Sequence, residues 1–99
     1  MAATYVVLLD YTEQGIKNFK NMPDRAKAAA DAISAAGGKL VSYYLTLGAH
    51  DAVTVMEFPD DPTAARVLIG IAAQGNVRTT TMRAFTQAEA EQIARIEPA

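Results

Sequence analysis

The chain has a single histidine, His50, in the run Gly48-Ala49-His50-Asp51. An imidazole with an ordinary pKa near ~6.5 can take or give a proton at neutral pH, and a neighbouring carboxylate such as Asp51 could tune it as a general base. Asp10, Tyr11 and Arg78 add a second carboxylate, a phenol and a guanidinium from other parts of the chain. Together the five could fix the polar end of a small organic ligand. The same residues admit plainer roles. Asp51 can accept backbone N–H bonds and hold a turn, Arg78 can form a structural ion pair with Asp10 or Asp51, and His50 can be a solvated tip residue.

Other chemistries find no support. There is no cysteine, so disulfides, thiolate nucleophiles and Cys-ligated metals are excluded. His50 has no second imidazole and only Asp10 and Asp51 to join it, so no metal site is expected. Ser34 and Ser42 have no histidine that the sequence brings near, which leaves a nucleophilic triad unsupported. Gly37-Gly38 closes a helix instead of opening one, and so lacks the N-terminal dipole a phosphate loop needs. No cofactor is expected.

The elements that position these residues follow from periodicity. Thr4 to Asp10 is apolar on both parities and rich in β-branched residues, the pattern of a central strand. Thr12 can cap a helix whose apolar stripe is Ile16, Phe19, Ala26, Ala30 and Ile33. Pro23 interrupts it, so the spacing predicts a short helix to about Lys20 and a second from near Pro23, ended by Gly37-Gly38. Lys39 to Leu47 reads as a strand with Val41, Tyr43, Leu45 and Leu47 on one face and Leu40 and Tyr44 on the other. Ala52 to Phe58 follows after the glycine turn as the second half of a hairpin. Asp61 is expected to cap a helix with Pro62 in its first turn, running through Leu68 to a stop at Gly75. Val77 to Phe85 is the last strand, with Thr79-Thr80-Thr81 as β-branched filler. Thr86 and Glu89 then form a capping box for a short terminal helix with Ala90, Ile93 and Ile96 inward.

This order predicts an α+β, ferredoxin-like βαββαβ domain spanning residues 1–99. It has a four-stranded antiparallel sheet in the spatial order fourth, first, third, second, helices on one face and a short C-terminal helix. The end of the first strand, the hairpin tip and the start of the fourth strand then share one edge. Asp10-Tyr11, His50-Asp51 and Arg78 converge there.

Composition sets the broad class. The chain has 99 residues, 51% of them hydrophobic and 20% charged, which suits one folded domain. A formal net charge of −2, with nine basic residues scattered along the chain, argues against nucleic-acid binding. No apolar stretch approaches the ~18 residues of a membrane span, and no signal peptide is visible, so a soluble cytoplasmic protein is expected. The first strand offers Tyr5, Val7 and Leu9 to one face and Val6 and Leu8 to the other. Helices on one side leave the second apolar face bare, and a second copy packed sheet to sheet would cover it.

The runs "YVVLLDYTEQGIKNFK" (Tyr5 to Lys20), "PDRAKAA" (Pro23 to Ala29), "YLTLGAHDAV" (Tyr44 to Val53) and "GNVRTTTMRAF" (Gly75 to Phe85) resemble the GYD-domain family over about Thr4 to Ile93. His50 stands where the family has the tyrosine of its name, flanked by the matching Gly48 and Asp51. The resemblance implies a ferredoxin-like fold that pairs as in dimeric α/β barrels. It carries no single activity, since the wider superfamily includes cofactor-free monooxygenases, haem enzymes and ligand-sensing domains. The expectation is a homodimer or larger assembly that binds or senses a small organic ligand. The alternatives are a cofactor-free monooxygenase or isomerase with His50 as base, and a structural or assembly protein.

Overall fold

The computed structural model describes residues 2–98. Strand β1 (Ala3–Tyr11) leads to helix α1 (Glu13–Lys17), a 3-10 turn (Phe19–Asn21) and helix α2 (Met22–Ala35). Strands β2 (Lys39–Leu45) and β3 (Ala52–Phe58), helix α3 (Asp61–Ala73), strand β4 (Val77–Ala84) and helix α4 (Gln87–Ala94) complete the order. The sheet is four-stranded in the order β2-β3-β1-β4, with every neighbouring pair antiparallel. The expected α+β, ferredoxin-like plan is found.

The break before Pro23 is also found. Thr12 caps α1 through a bond from the Gly15 N–H (3.1 Å), α1 ends after one turn, and Pro23 sits in the first turn of α2 where its missing N–H costs nothing. Gly37, at φ 83°, then turns the chain out of α2 in the left-handed conformation.

The core lies between the sheet and the helices α2 and α3. Tyr5, Val7, Met56 and Phe58 from the central strands meet Ile33 of α2 and Ala64 and Leu68 of α3. Thr54 is the one buried polar residue among those described, and its hydroxyl is satisfied by the Val7 carbonyl (2.8 Å). Strands β1 and β3 alternate buried and half-buried residues, the pattern of a sheet covered on one side. The uncovered side carries the apolar rungs Val55–Val6–Met82 and Tyr44–Val53–Leu8 across the sheet. Tyr44 and Met82 are exposed there.

Four expectations need correction. A register shift between Leu40 and Ser42 puts both Leu40 and Tyr43 on the helix side, because one extra residue reverses the alternation. Asp60, not Asp61, caps α3 by accepting from the Thr63 N–H (2.9 Å), and the Thr63 hydroxyl, then that N–H, hold its carboxyl below the usual range. Asp61 instead accepts from the Tyr5 hydroxyl. Ile16 is exposed, since the single turn of α1 presents Gly15 inward. Helix α4 has its full capping box but buries none of its residues, so Ile93 and Ile96 face no core of their own chain. The radius of gyration, 14.8 Å, exceeds the ~13 Å of a compact chain of this size, and the outlying α4 is one reason.

Gly15 shows how closely α1 sits on the start of β4. A Cβ there would overlap the Asn76 carbonyl oxygen, which already accepts from the Thr12 N–H at 3.0 Å. Gly15→Ala is therefore expected to lower stability by about 1–3 kcal/mol, the usual cost of overpacking, read as a lower urea midpoint with unchanged slope. An unchanged midpoint would refute this account of the contact.

Candidate functional site

The three stretches expected to converge do meet at one edge of the sheet. Asp51 is the joint on the β3 side. Its N–H donates to the Leu9 carbonyl (2.9 Å), its carboxylate accepts from the Tyr11 N–H (2.8 Å), and its carbonyl accepts from the Thr46 N–H (2.8 Å). The Thr46 hydroxyl closes the tip by donating to the His50 carbonyl (2.6 Å). On the β4 side, Thr12 donates its N–H to Asn76 (3.0 Å) and its hydroxyl to the Gly75 carbonyl (2.6 Å). Gln14 adds bonds to the Gln74 carbonyl and the Asn76 side chain. Asp51 thus does the backbone-holding work of a turn aspartate.

The partner of His50 is Asp10. Its Nδ1 lies 3.2 and 3.3 Å from the two Asp10 carboxylate oxygens, while Asp51, the expected tuner, is committed to Tyr11. With Nδ1–H donating to Asp10, Nε2 is left as the lone-pair nitrogen. Arg78 is the register partner of Asp10 across β1 and β4, yet no hydrogen bond or ion pair joins it to Asp10 or Asp51. Both carboxylates already have partners, and the guanidinium stays exposed. The expected Arg78–aspartate ion pair is not formed.

Tyr11 goes the other way. Successive strand residues point to opposite faces, so Asp10 and its bond to His50 lie on the uncovered side of the sheet while Tyr11 turns under the helices. Its ring meets Phe19 edge to face, with centroids 5.8 Å apart, and its hydroxyl lies 2.7 Å from that of Tyr43. Both tyrosines line a cavity of about 80 Å³ between the sheet and the helices α2 and α3. A single water needs only ~10–15 Å³, so this space admits a small organic molecule. Its walls are mainly apolar, including Leu9, Ile33, Leu40, Met56 and Ile71, and Arg25 stands among them. Burial, with the Tyr11 hydroxyl beside it, pushes the Tyr43 phenol well above its usual range, so it is neutral at pH 7.

Alternation places Tyr43 and Tyr44 on opposite faces of β2, as found, one in the core and the other at an interface or pocket, but it does not say which, and it does not reach Arg25. Arg25 could have been found from its place on α2, since Arg25, Ala29 and Ile33 recur at i, i+4 and i+8 and share a face. The alanines Ala26 and Ala29 leave room that larger residues would fill. The face that Tyr43 takes was hidden by the register shift in β2. Among the described residues no three His, Asp or Glu side chains gather as a metal site requires.

A domain with one covered sheet face, a small apolar cavity beneath it and a clamped strand-end edge is a ferredoxin-like α+β module. Residues 5–94 match the GYD domain model, and the chain belongs to the GYD domain family. A Thermus thermophilus protein named "Glutamine synthetase and cystathionine beta-lyase binding protein" is 33% identical over 95 residues, covering 95% of this chain and 98% of its own. A crystal structure of a Thermus thermophilus protein is similar in fold, with a TM-score of 0.54 at 24% identity over 85% of this chain and 94% of that one. No helix among the described residues is long and apolar enough to cross a membrane.

Removing the Asp51 carboxylate leaves the Tyr11 N–H without its partner. Asp51→Ala is expected to cost about 1–2 kcal/mol in a chemical denaturation curve, and His50→Ala much less, since only a part-exposed pair is lost. Equal losses would contradict this division of labour.

Alkaline pH tests the other face. Burial, then the bond to Asp61, pushes the Tyr5 phenol from 10.0 up to about 12, and Tyr43 is raised as well. A phenol whose folded pKa exceeds its unfolded value keeps its proton longer in the folded chain. Its contribution is whole below about pH 10 and is lost as pH rises towards about 12. The urea midpoint should therefore hold to about pH 10 and fall above it, with two of the four tyrosines ionising late in a phenolate absorbance titration. A midpoint flat to about pH 12 would contradict the assignment.

Proposed function

We propose that the chain is a self-associating binding module of one domain that takes a small organic ligand in the cavity between its sheet and the helices α2 and α3. The observation that carries this reading is the cavity itself: a partly enclosed, mainly apolar space whose polar groups include Tyr11, Tyr43 and Arg25, the usual composition of a small-molecule site. Asp51 acts here at one remove, by fixing the backbone at Tyr11. Asp10, His50 and Arg78, on the other face, would meet a ligand only at the surface between two copies.

Association is supported by the uncovered sheet face. Burying a Val or Leu is worth about 1.5–3 kcal/mol, so covering Val6, Leu8, Val53 and Val55 against their counterparts offsets an association cost of about 4–15 kcal/mol. A two-fold, sheet-to-sheet dimer is the simplest arrangement that covers the face of both copies.

Two further readings have particular observations behind them. The relative from Thermus thermophilus is named for binding two enzymes, and exposed Phe85, Ile93 and Ile96 on and beside α4 offer this chain an apolar surface for a protein partner. The Asp10–His50 pair, with Nε2 free, has the form of an oriented general base and supports a cofactor-free enzyme working at the open face. A cytoplasmic setting suits all three readings.

Native mass spectrometry is expected to give twice the chain mass or more, and Leu8→Lys on the open face to give the single chain mass. A purely monomeric wild type at micromolar concentration would refute self-association. For the cavity, a neutral single-ring compound, benzyl alcohol, should shift the amide NMR signals of Tyr11, Tyr43 and Met56 and saturate. Shifts absent from these residues would refute the ligand reading.

A further inference from the structure

Arg25 stands apart from the other basic residues. Of the nine, it alone is not exposed; the other eight, from Lys17 to Arg95, all reach solvent freely. Lys17, Lys27 and Arg83 pair with Glu13, Asp31 and Asp61, yet no carboxylate among the described residues pairs with Arg25. Its guanidinium is tethered by one good bond, Nη1 to the Asn18 carbonyl (2.7 Å), and one long one, Nη2 to the Gly15 carbonyl (3.5 Å). Five N–H donors on a guanidinium leave at least three without a protein acceptor. A partly buried cation beside apolar walls is costly to leave without a counter-ion.

The facing sheet wall of the cavity carries the Tyr11–Tyr43 hydroxyl pair, near enough for the Arg25 charge to act on Tyr43. One hydroxyl donates to the other across 2.7 Å, which leaves one O–H proton uncommitted. Thr54, the polar group on the cavity floor, has already spent its hydroxyl on the Val7 carbonyl. What remains unfilled is a set of donors, a fork of guanidinium N–H groups and a phenolic O–H, in a mainly apolar space whose other polar lining, Gln74, Asn76 and Thr79, is uncharged. Among the described residues no carboxylate lines the cavity to compete.

We infer that the cavity selects a small monocarboxylic acid, its carboxylate on Arg25 and the tyrosine hydroxyl pair and its apolar body against Ile33, Leu40 and Met56. This rests on the cavity being the ligand site, and adds the charge and size of what enters. A guanidinium and an O–H donor match the two oxygens of a carboxylate, and charge-assisted bonds of this kind are about twice as strong as neutral ones. The Tyr43 phenol, neutral at pH 7 as any phenol is and held further from ionising by burial, can donate to such an anion and does not repel it. The volume, about 80 Å³, is below the ~150 Å³ of a cavity that takes up benzene, so the body is a short branched chain or at most a single ring that reaches out through the cavity's open side.

The test compares benzoate with benzyl alcohol, which share the ring and differ in the charge, by NMR titration of the full chain. Benzoate is expected to bind at least about tenfold more tightly, a difference of one charge-assisted contact. Arg25→Met should bring the ratio of benzoate to benzyl alcohol affinity down to about one, whatever its effect on both; Arg25→Lys should keep part of the preference. Tyr43→Phe should weaken benzoate more than benzyl alcohol. If benzyl alcohol binds and benzoate binds no better, or if Arg25→Met leaves the preference intact, the acid inference is wrong while the ligand site stands. If neither compound shifts the cavity signals, both the site and the inference are wrong. Retained amide dispersion in each variant separates loss of binding from loss of fold.

Discussion

The last residues of β1 are held from both sides, and the rest of the site depends on that clamp. Regular pairing with β3 stops at Leu9 opposite Ala52, where the next N–H would otherwise be buried without a partner. Asp51 prevents this by giving its own N–H to Leu9 and taking that of Tyr11 on its carboxylate. Across the strand, Thr12 bonds to Asn76 and Gly75, with Gly15 packed where no side chain fits. Pairing with β4 runs on to Tyr11 opposite Val77, so the end of β1 is held by β4 on one side and by Asp51 on the other. The Tyr11 ring is fixed as a result, and with it one wall of the cavity.

Because the clamp holds a strand and not a loop, its side chains must alternate. Asp10 and Tyr11 are neighbours in sequence and belong to different faces. One face has the Asp10–His50 pair, Arg78 in register beside it, and a row of half-buried aliphatic side chains. The other has Tyr11, Tyr43 and Arg25 around a partly enclosed, mainly apolar space. A cluster of five polar residues gathered by topology is divided by the pleat between two faces, and each face has its own set of groups. The open face can present a base or a recognition patch to something that lies across it. Only the helix-covered face can enclose a molecule.

The sequence carried the topology well where local signals and burial agree. The two-sided apolar run of β1, the interruption at Pro23, the glycine at position 37 and the Thr86–Glu89 box each have one physical meaning, and each appears in the fold. Misreadings fell where a single residue shifts the phase. The irregularity after Leu40 moves it to the same face as Tyr43, which strict alternation forbids. Asp60 and Asp61 are both competent caps, and the choice was made by Tyr5, 56 residues away, whose hydroxyl engages Asp61. Arg78 was assigned to a carboxylate because charges converge there; that Asp10 and Asp51 would already be engaged depends on hydrogen bonds no spacing reveals. Of the candidate site, the edge was legible and the cavity was not, since Arg25 and Tyr43 meet only after α2 is laid on the sheet.

Helix α4 shows the difference between a helix that is specified and one that is supported. Its capping box satisfies both ends of the reciprocal bond, Thr86 N–H to Glu89 at 2.8 Å and Glu89 N–H to Thr86 at 3.2 Å. Arg83 lies 4.7 Å over the Phe85 ring and fixes the direction in which the chain leaves β4. Yet eight residues are too few to hold a helix in water by propensity alone, and Ile93 and Ile96 touch no core here. The local signals set where α4 starts and where it points. A surface that covered Ile93 and Ile96 would stabilise α4 by mass action, so the order of the helix and such a contact would be coupled.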